Sequence, residues 1–364
     1  MAKKSNTSAD SGTGKSSQRG NRMRILSIDG GGMLGLTTAI YLKELERKLG
    51  SPLRTHFDLI AGTSTGSILA VAVASGINID RVIRLYIERG RDIFPSGPSG
   101  TFDSLGRLFT QGISRPKHGD GGLGEALQGE LVKGRQPIKF GAIETPVLVT
   151  AYDTIERRAW VFKSWRPWLR DVEAWQLVKG SCSAPTFFPA HVMGMSVPSR
   201  GGDSSGLVYK QFALIDGGVW ANNPAAVALA EAHKRRRDTQ SGEDKFDFDP
   251  SNVVVASFGN IDSPQEAISA RSAREWGAVE WVKRGDLIGV MMDGSQETAA
   301  YIAGALAPPG RTHRISCGVE GPEDYEMDDA SPEALERLES LAQLHIEQPG
   351  VQAALDSLAG QLKQ

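Results

Sequence analysis

MRILSIDGGGMLG (Met23–Gly35) and FDLIAGTSTGSILAVAVAS (Phe57–Ser75) are the two stretches on which the fold turns. Each opens with a short apolar run, breaks at a cluster of glycines and resumes as a helix-forming segment. Met23 to Ile28 reads as a buried strand, followed by Asp29 and the glycines Gly30, Gly31 and Gly32. Leu36, Ile40, Leu42, Leu45 and Leu49 then recur at helical spacing, and Gly50 with Pro52 ends the helix. Phe57 to Ala61 reads as a second strand and Ser67 to Ser75 as a buried helix. A βαβα start of this kind predicts an α/β fold: a mostly parallel sheet in three layers, with helices on both faces. The uncharged run from Leu59 to Ile79 approaches the roughly 20 residues of a membrane span. The block Gly62-Thr63-Ser64-Thr65-Gly66-Ser67 inside it would set irregular backbone against lipid, so a strand, a turn and a helix are expected instead.

The remainder fits one α/β domain with insertions. A chain of 364 residues, 40% hydrophobic and 23% charged, has ordinary globular composition and ample apolar surface for a core. A formal net charge of −2 argues against a DNA or RNA polymer as partner. The two cysteines, Cys182 and Cys317, are too few for a disulfide scaffold or a four-thiolate zinc site, and no metal centre or cofactor is expected. Residues 1–22 carry five Lys/Arg, one Asp and no Leu, Ile, Val or Phe, which predicts a disordered basic tail rather than a secretory leader, and a cytoplasmic setting. Asp80 to Arg89 reads as a helix with Asp80 as N-cap. The Gly/Pro/Ser-rich stretch 95–124 reads as a loop or lid. Strands are expected at Pro146–Tyr152, Ala159–Phe162, Phe212–Ile215 and Val253–Phe258, and helices at Pro224–Arg236, 275–305 and 332–346. Trp160, Trp165, Trp168 and Trp175 read as packing residues. The expected layout is a tail over 1–22, the domain over 23–346 and a C-terminal tail over 347–364.

Both glycine turns carry chemistry. Gly30-Gly31-Gly32-Met33-Leu34-Gly35 matches G-x-G-x-x-G between a strand and a helix, the pattern of a dinucleotide site. Asp29 directly before it would repel a pyrophosphate, and the next strand ends in Ala61 and Gly62, without an acid for a ribose hydroxyl. The other reading is an oxyanion hole, in which bare backbone N–H groups hold a charge that forms during reaction. Gly62-Thr63-Ser64-Thr65-Gly66 is G-x-S-x-G at a strand-to-helix junction, where a sharp turn stands the serine above the sheet. Ser64 is therefore the expected nucleophile. His191, His233, His313 and His345 all follow it, but none sits in a site-like context. Asp216 does, between the apolar strand FALI and the turn Gly217-Gly218, with Asn222, Asn223 and Pro224 opening a helix.

DGGGMLG, GTSTG and DGG in this order resemble the patatin family of lipid acyl hydrolases, and SCSAPTFFPA (residues 181–190) is similar to that family's segment between serine and aspartate. The resemblance spans about residues 24–260. It implies a patatin-like fold and a Ser–Asp dyad, with Ser64 as nucleophile and Asp216 as proton acceptor. It assigns the oxyanion loop to Gly30, Gly31 and Gly32, with Gly35 closing the turn, and makes Gly62, Gly66, Gly217 and Gly218 the supporting glycines. Two departures stand out. Where many members have an arginine in the first loop this chain has Met33-Leu34, and a late S-L-G-T-G-like turn is here SFGN (Ser257–Asn260).

The resemblance implies a phospholipid substrate met at the inner face of the membrane. Single-domain bacterial patatins of this size also resemble the CapV effectors of cyclic-oligonucleotide antiphage defence, which implies a cyclic-nucleotide activator; a homo-oligomer is a further expectation. Trp276 to Met292 carries apolar residues among charges and reads as core or as a docking segment. A non-lipid serine esterase or thioesterase on the same site, and a catalytically silent nucleotide-binding module, remain open from sequence.

Overall fold

The computed structural model describes residues 22–94, 119, 121–185, 187–199, 206–237, 246–262, 268–277, 280–281, 287–318 and 325–364. The basic tail before Arg22 and most of the expected lid, residues 95–118 and 120, lie outside the described residues. The strands are β1 (Met23–Ile28), β2 (Leu59–Gly62), the short pair β3 (Val132–Lys133) and β4 (Gln136–Pro137), β5 (Val147–Asp153), β6 (Arg158–Lys163), β7 (His191–Pro198), β8 (Leu207–Asp216), β9 (Val253–Asp262) and β10 (Thr312–Gly318). The helices are α1 (Gly35–Leu49), α2 (Thr65–Ser75), α3 (Ile79–Ile93), α4 (Gly121–Glu130), α5 (Ala174–Ser181), α6 (Gly218–Ala221), α7 (Ala225–Arg237), α8 (Ala270–Glu275), α9 (Leu287–Leu306), α10 (Pro332–Glu347) and α11 (Pro349–Lys363).

The main sheet runs β10-β9-β1-β2-β5-β8-β7, with β6 added to β5. The neighbours from β10 to β5 are all parallel, whereas β5–β6, β5–β8 and β7–β8 are antiparallel. Strand residues alternate between two cores, as a twofold side-chain period requires. Leu26, Ile28, Ile60, Val147, Val149, Val254, Ala256 and Phe258 face one side, under α1, α2, α5 and α10. Met23, Ile25, Leu59, Ala61, Leu148, Val253 and Val255 face the other, under Ala225, Ala228, Leu229 and Ala232 of α7 and Ala303 of α9. The expected mostly parallel, three-layer α/β sheet is therefore the observed one.

Strand β5 positions the site. Its first residues pair with β2 (Ile60 with Val147, Ala61 with Leu148, Gly62 with Val149). Its last residues pair with β8 (Ala151 with Asp216, Tyr152 with Ile215, Asp153 with Leu214). Strand β6 takes the opposite edge along Leu148–Asp153. Thus β2 and β8 share one edge of β5 and run toward each other, with their C-terminal ends separated by Thr150. The Thr150 hydroxyl meets that of Thr63 at 2.7 Å. On the other side a Cβ on Gly217 would lie 2.6 Å from the Thr150 carbonyl oxygen, so only glycine fits that approach. Two turns distant in sequence, 62–66 and 216–218, are brought together here.

Several expectations need correction. Asn78, not Asp80, caps α3, because its side chain accepts the Asp80 N–H at 2.7 Å. The part of 95–124 that is described, from Gly121, begins a helix rather than a loop, and its Leu123, Ala126 and Leu127 are buried. Residues 349–363 are not a tail but the helix α11. Leu355, Leu358, Ala359 and Leu362, at i, i+3, i+4 and i+7, are buried there, and Lys48 of α1 is bound to Asp356 at 2.6 Å. The tryptophans do pack: Trp160 meets Phe212 edge-on at 5.3 Å.

Candidate active site

The turn after β2 holds Ser64 at φ 51°, ψ −133°, a backbone region that costs a β-carbon-bearing residue about 1–3 kcal/mol. The glycines around it make the strain tolerable. A Cβ on Gly62 would lie 2.6 Å from the Ser67 Cα, and one on Gly66 would strike the carbonyl oxygens of Ile28 and Asp29 at the end of β1. Helix α2 begins at Thr65, so its positive end lies beside the serine. The Ser64 N–H is held by the Ser181 hydroxyl at 2.8 Å.

Asp216 is the last residue of β8. The Ser64 Oγ donates to its Oδ2 at 2.6 Å, and the Gly218 N–H donates to its Oδ1 at 2.7 Å. Burial pushes the Asp216 carboxyl up from the usual carboxylate range to about 6, against the pull of the hydrogen bonds from Ser64 and Gly218. A carboxylate with that affinity is a stronger base near neutrality than a free one. Asp216 and its neighbour Gly217 are also tied down. The Asp216 N–H bonds to the Ser183 carbonyl at 2.9 Å, and the Gly217 N–H to the Ser181 carbonyl at 3.3 Å. The segment 181–183 therefore spans both turns, holding the serine by a side chain and the aspartate loop by two carbonyls. Between them Cys182 is buried, and its thiol is raised well above the usual range by burial and by the nearby Asp216 charge.

The first glycine loop passes close to Ser64, since a Cβ on Gly30 would lie 2.8 Å from the Ser64 Cβ. Its donors are not equivalent. The Gly30 N–H bonds to the Asn222 carbonyl at 3.1 Å and the Met33 N–H to the Met327 carbonyl at 2.7 Å. The Gly35 N–H turns back onto the Gly32 and Met33 carbonyls. Gly30 and Gly35 thus shape the loop and do not present donors. Among the described residues the Gly31 and Gly32 N–H groups meet no acceptor in the protein. The late turn SFGN explains itself here: Asn260 Nδ2 donates to the Gly30 carbonyl at 2.9 Å and braces the loop from outside. With Met33 anchored on Met327, the loop is fixed without an arginine of its own.

A narrow cavity of about 80 Å³ leads away from Ser64 and Asp216. Its walls are apolar, from Ile68, Leu85, Ile93, Phe94, Leu123 and Phe188, and Met292 of α9 also lines it. None of the described histidines lines it. His191 lies on β7 against Trp175, His345 bonds to the Tyr41 hydroxyl at 3.1 Å, and His233 packs on Phe248. Such a slot suits a hydrocarbon chain and offers little to a pyrophosphate.

The architecture has known relatives. The family model for patatin-like phospholipases matches residues 26–229. The chain belongs to the patatin-like phospholipase family. Members of this family are lipid acyl hydrolases, and the chain is an enzyme of that class. Patatin-like protein 1 of Arabidopsis thaliana is 27% identical, over 93% of this chain and 84% of its own length. Patatin-like protein 1 of Oryza sativa subsp. indica is 30% identical over 72% of this chain and 65% of its own length. An Escherichia coli protein, named cUMP-AMP-activated phospholipase, is 29% identical over 72% of this chain and 73% of its own length.

The sequence pointed to Ser64 and Asp216, and the structure brings them together. It did not point to Ser181, Thr150, Asn222, Asn260 or Met327. Ser181, Asn222 and Asn260 carry a hint, the first within SCSAPTFFPA, the second just after the Asp216 turn and the third within the altered SFGN turn.

Proposed function

We propose that this enzyme hydrolyses the ester-linked acyl chains of membrane phospholipids through a Ser64–Asp216 dyad, and that a cyclic nucleotide switches it on. The observation that carries the chemistry is the 2.6 Å bond from the Ser64 hydroxyl to the raised-pKa Asp216 at the mouth of an apolar slot. In the first step the Ser64 Oγ attacks the ester carbonyl while its proton passes to Asp216. The carbonyl oxygen becomes an oxyanion facing the Gly31 and Gly32 N–H groups, each such donor being worth about 3 kcal/mol to the transition state. The tetrahedral adduct breaks its bond to the alcohol, which takes the proton from Asp216 and leaves. Water then gives its proton to Asp216 and adds to the acyl-enzyme. Collapse returns the proton to Ser64 and frees the fatty acid.

A bilayer substrate is supported by α9. Val290, Met291, Tyr301, Ile302 and Leu306 are exposed on it, while Met292 of the same helix lines the slot. Exposed apolar side chains on the helix that also lines the slot can meet lipid where an acyl chain must leave the bilayer. No helix among the described residues is long and apolar enough to cross a membrane. Nucleotide control is supported by the likeness to the E. coli enzyme, whose name states such an activator.

The test is hydrolysis of phospholipid vesicles by the wild type, Ser64→Ala and Asp216→Ala, with and without a panel of cyclic nucleotides. Fatty acid release by the wild type alone, stimulated by one nucleotide, is expected. Turnover of water-soluble esters or thioesters but never of vesicles would move the substrate class to a non-lipid ester. Equal activity of Ser64→Ala would remove the dyad.

A further inference from the structure

Asp29 is the residue that hands β1 to the glycine loop, and its carboxylate is almost wholly buried. It lies two residues before Gly31. A loop that stabilises a developing negative charge is poorly served by a fixed negative charge at its root. At an effective dielectric of about 20, any two like charges about 8 Å apart repel by about 2 kcal/mol, which is about 30-fold in rate.

The compensating charge comes from the edge of the sheet. Arg314 lies on β10, two strands away from β1, opposite Ser257 of β9, which in turn faces Ser27 of β1. Its Nη1 reaches the Asp29 Oδ2 at 2.6 Å and the Ser257 hydroxyl at 3.0 Å. The route is open because position 259 has no side chain: a Cβ there would collide with the guanidinium. The Ser257 hydroxyl also accepts from Asn223 at 3.3 Å, and Asn223 holds the Ser27 hydroxyl and the start of α7. The arginine is thus built into a network that crosses three strands and ends under the loop.

We infer that Arg314 is a positioning residue for acyl transfer: its guanidinium neutralises Asp29 and so leaves the Gly31 and Gly32 donors facing an oxyanion without a competing charge beneath them. This rests on the reading of Ser64 as nucleophile and of the loop as oxyanion hole, and it is independent of whether the substrate is a lipid.

The experiment measures the rate at which a fluorophosphonate probe labels Ser64, followed by mass spectrometry, in the wild type, Arg314→Gln, Arg314→Lys and the double variant Asp29→Asn/Arg314→Gln. The probe forms a tetrahedral adduct whose oxygen occupies the oxyanion position, so no lipid is needed. Expected are labelling about 30-fold slower in Arg314→Gln and within about threefold of wild type in Arg314→Lys and in the double variant. A residue that served only to hold β10 in place would show no rescue by removing the second charge. Should Arg314→Gln not fold, the double variant decides alone: wild-type labelling supports the inference and slow labelling by the folded protein overturns it. Labelling of Arg314→Gln at the wild-type rate also overturns it. A wild type that the probe never labels removes Ser64 as nucleophile, and the inference with it.

Discussion

Replacing Asp216 with asparagine should make the protein more stable at alkaline pH while abolishing its activity. Asp216 is fully buried, and burial raises its pKa from 3.8 to about 6. A rise of that size corresponds to about 3 kcal/mol between the protonation states. The folded-state pKa lies above the unfolded one, so the stability of the protonated form is fully present below about pH 4. It is lost as the pH rises through about 6, and above that the folded chain carries the whole cost of a buried charge. An asparagine keeps the shape and its Oδ1 can still accept from Gly218, while its amide can donate to the Ser64 hydroxyl. At pH 8 the variant should gain about 2–3 kcal/mol, or roughly 5 °C in Tm. Below pH 4 the gain should vanish. Urea or thermal unfolding of both proteins at pH 8 and at pH 4 measures this directly, with short-chain ester hydrolysis as the control for lost function. A variant less stable than wild type by the same amount at both pH values would refute the reasoning, since the loss would then be one of packing and not of charge.

Three other outcomes follow from the geometry. The kcat/KM for ester hydrolysis should rise with pH through about 6, as the raised Asp216 becomes ionised and able to take the serine proton; a flat profile between pH 5 and 8 contradicts that role. Ser181→Ala leaves the buried Ser64 N–H without its acceptor, at a cost of about 1–3 kcal/mol in stability; kcat should fall at least tenfold with little change in KM, read by steady-state kinetics. Ile68→Phe narrows the slot, and competition between esters of different length should show long acyl chains losing at least tenfold against short ones.

The proposed nucleophile and base are legible because each stands where an apolar strand gives way to glycine, a local pattern confined to a few neighbouring residues. Their proximity is not, because it depends on the register of both β2 and β8 against β5. The supports are hidden for the same reason. Ser181 meets Ser64 across 117 positions and Asn260 meets Gly30 across 230, and no periodicity links such partners. The glycine pattern predicts an oxyanion donor at Gly30, but the carbonyl of Asn222, remote in sequence, takes its N–H. The strand His191–Pro198 lies outside the expected elements although its residues alternate between buried and exposed, as does α11 although its leucines recur at helical spacing. Strand β10 is harder, since Thr312, His313 and Arg314 put polar side chains on both faces of an edge strand.

The shared edge of β5 works as a ruler. Residues Val149, Thr150 and Ala151 set the distance between Ser64 and Asp216, and one residue added there would move one end by about 3.3 Å, farther than a hydrogen bond can stretch. The connections between Ser75 and Val147, and between Lys163 and Ala174, bear no such burden. They can lengthen, shorten or be exchanged while both turns stay docked on the same strand. A scaffold of this kind lets the walls around the acyl slot and any cover above it diversify independently of the reaction they serve, and it marks those two segments as the places to graft new specificity.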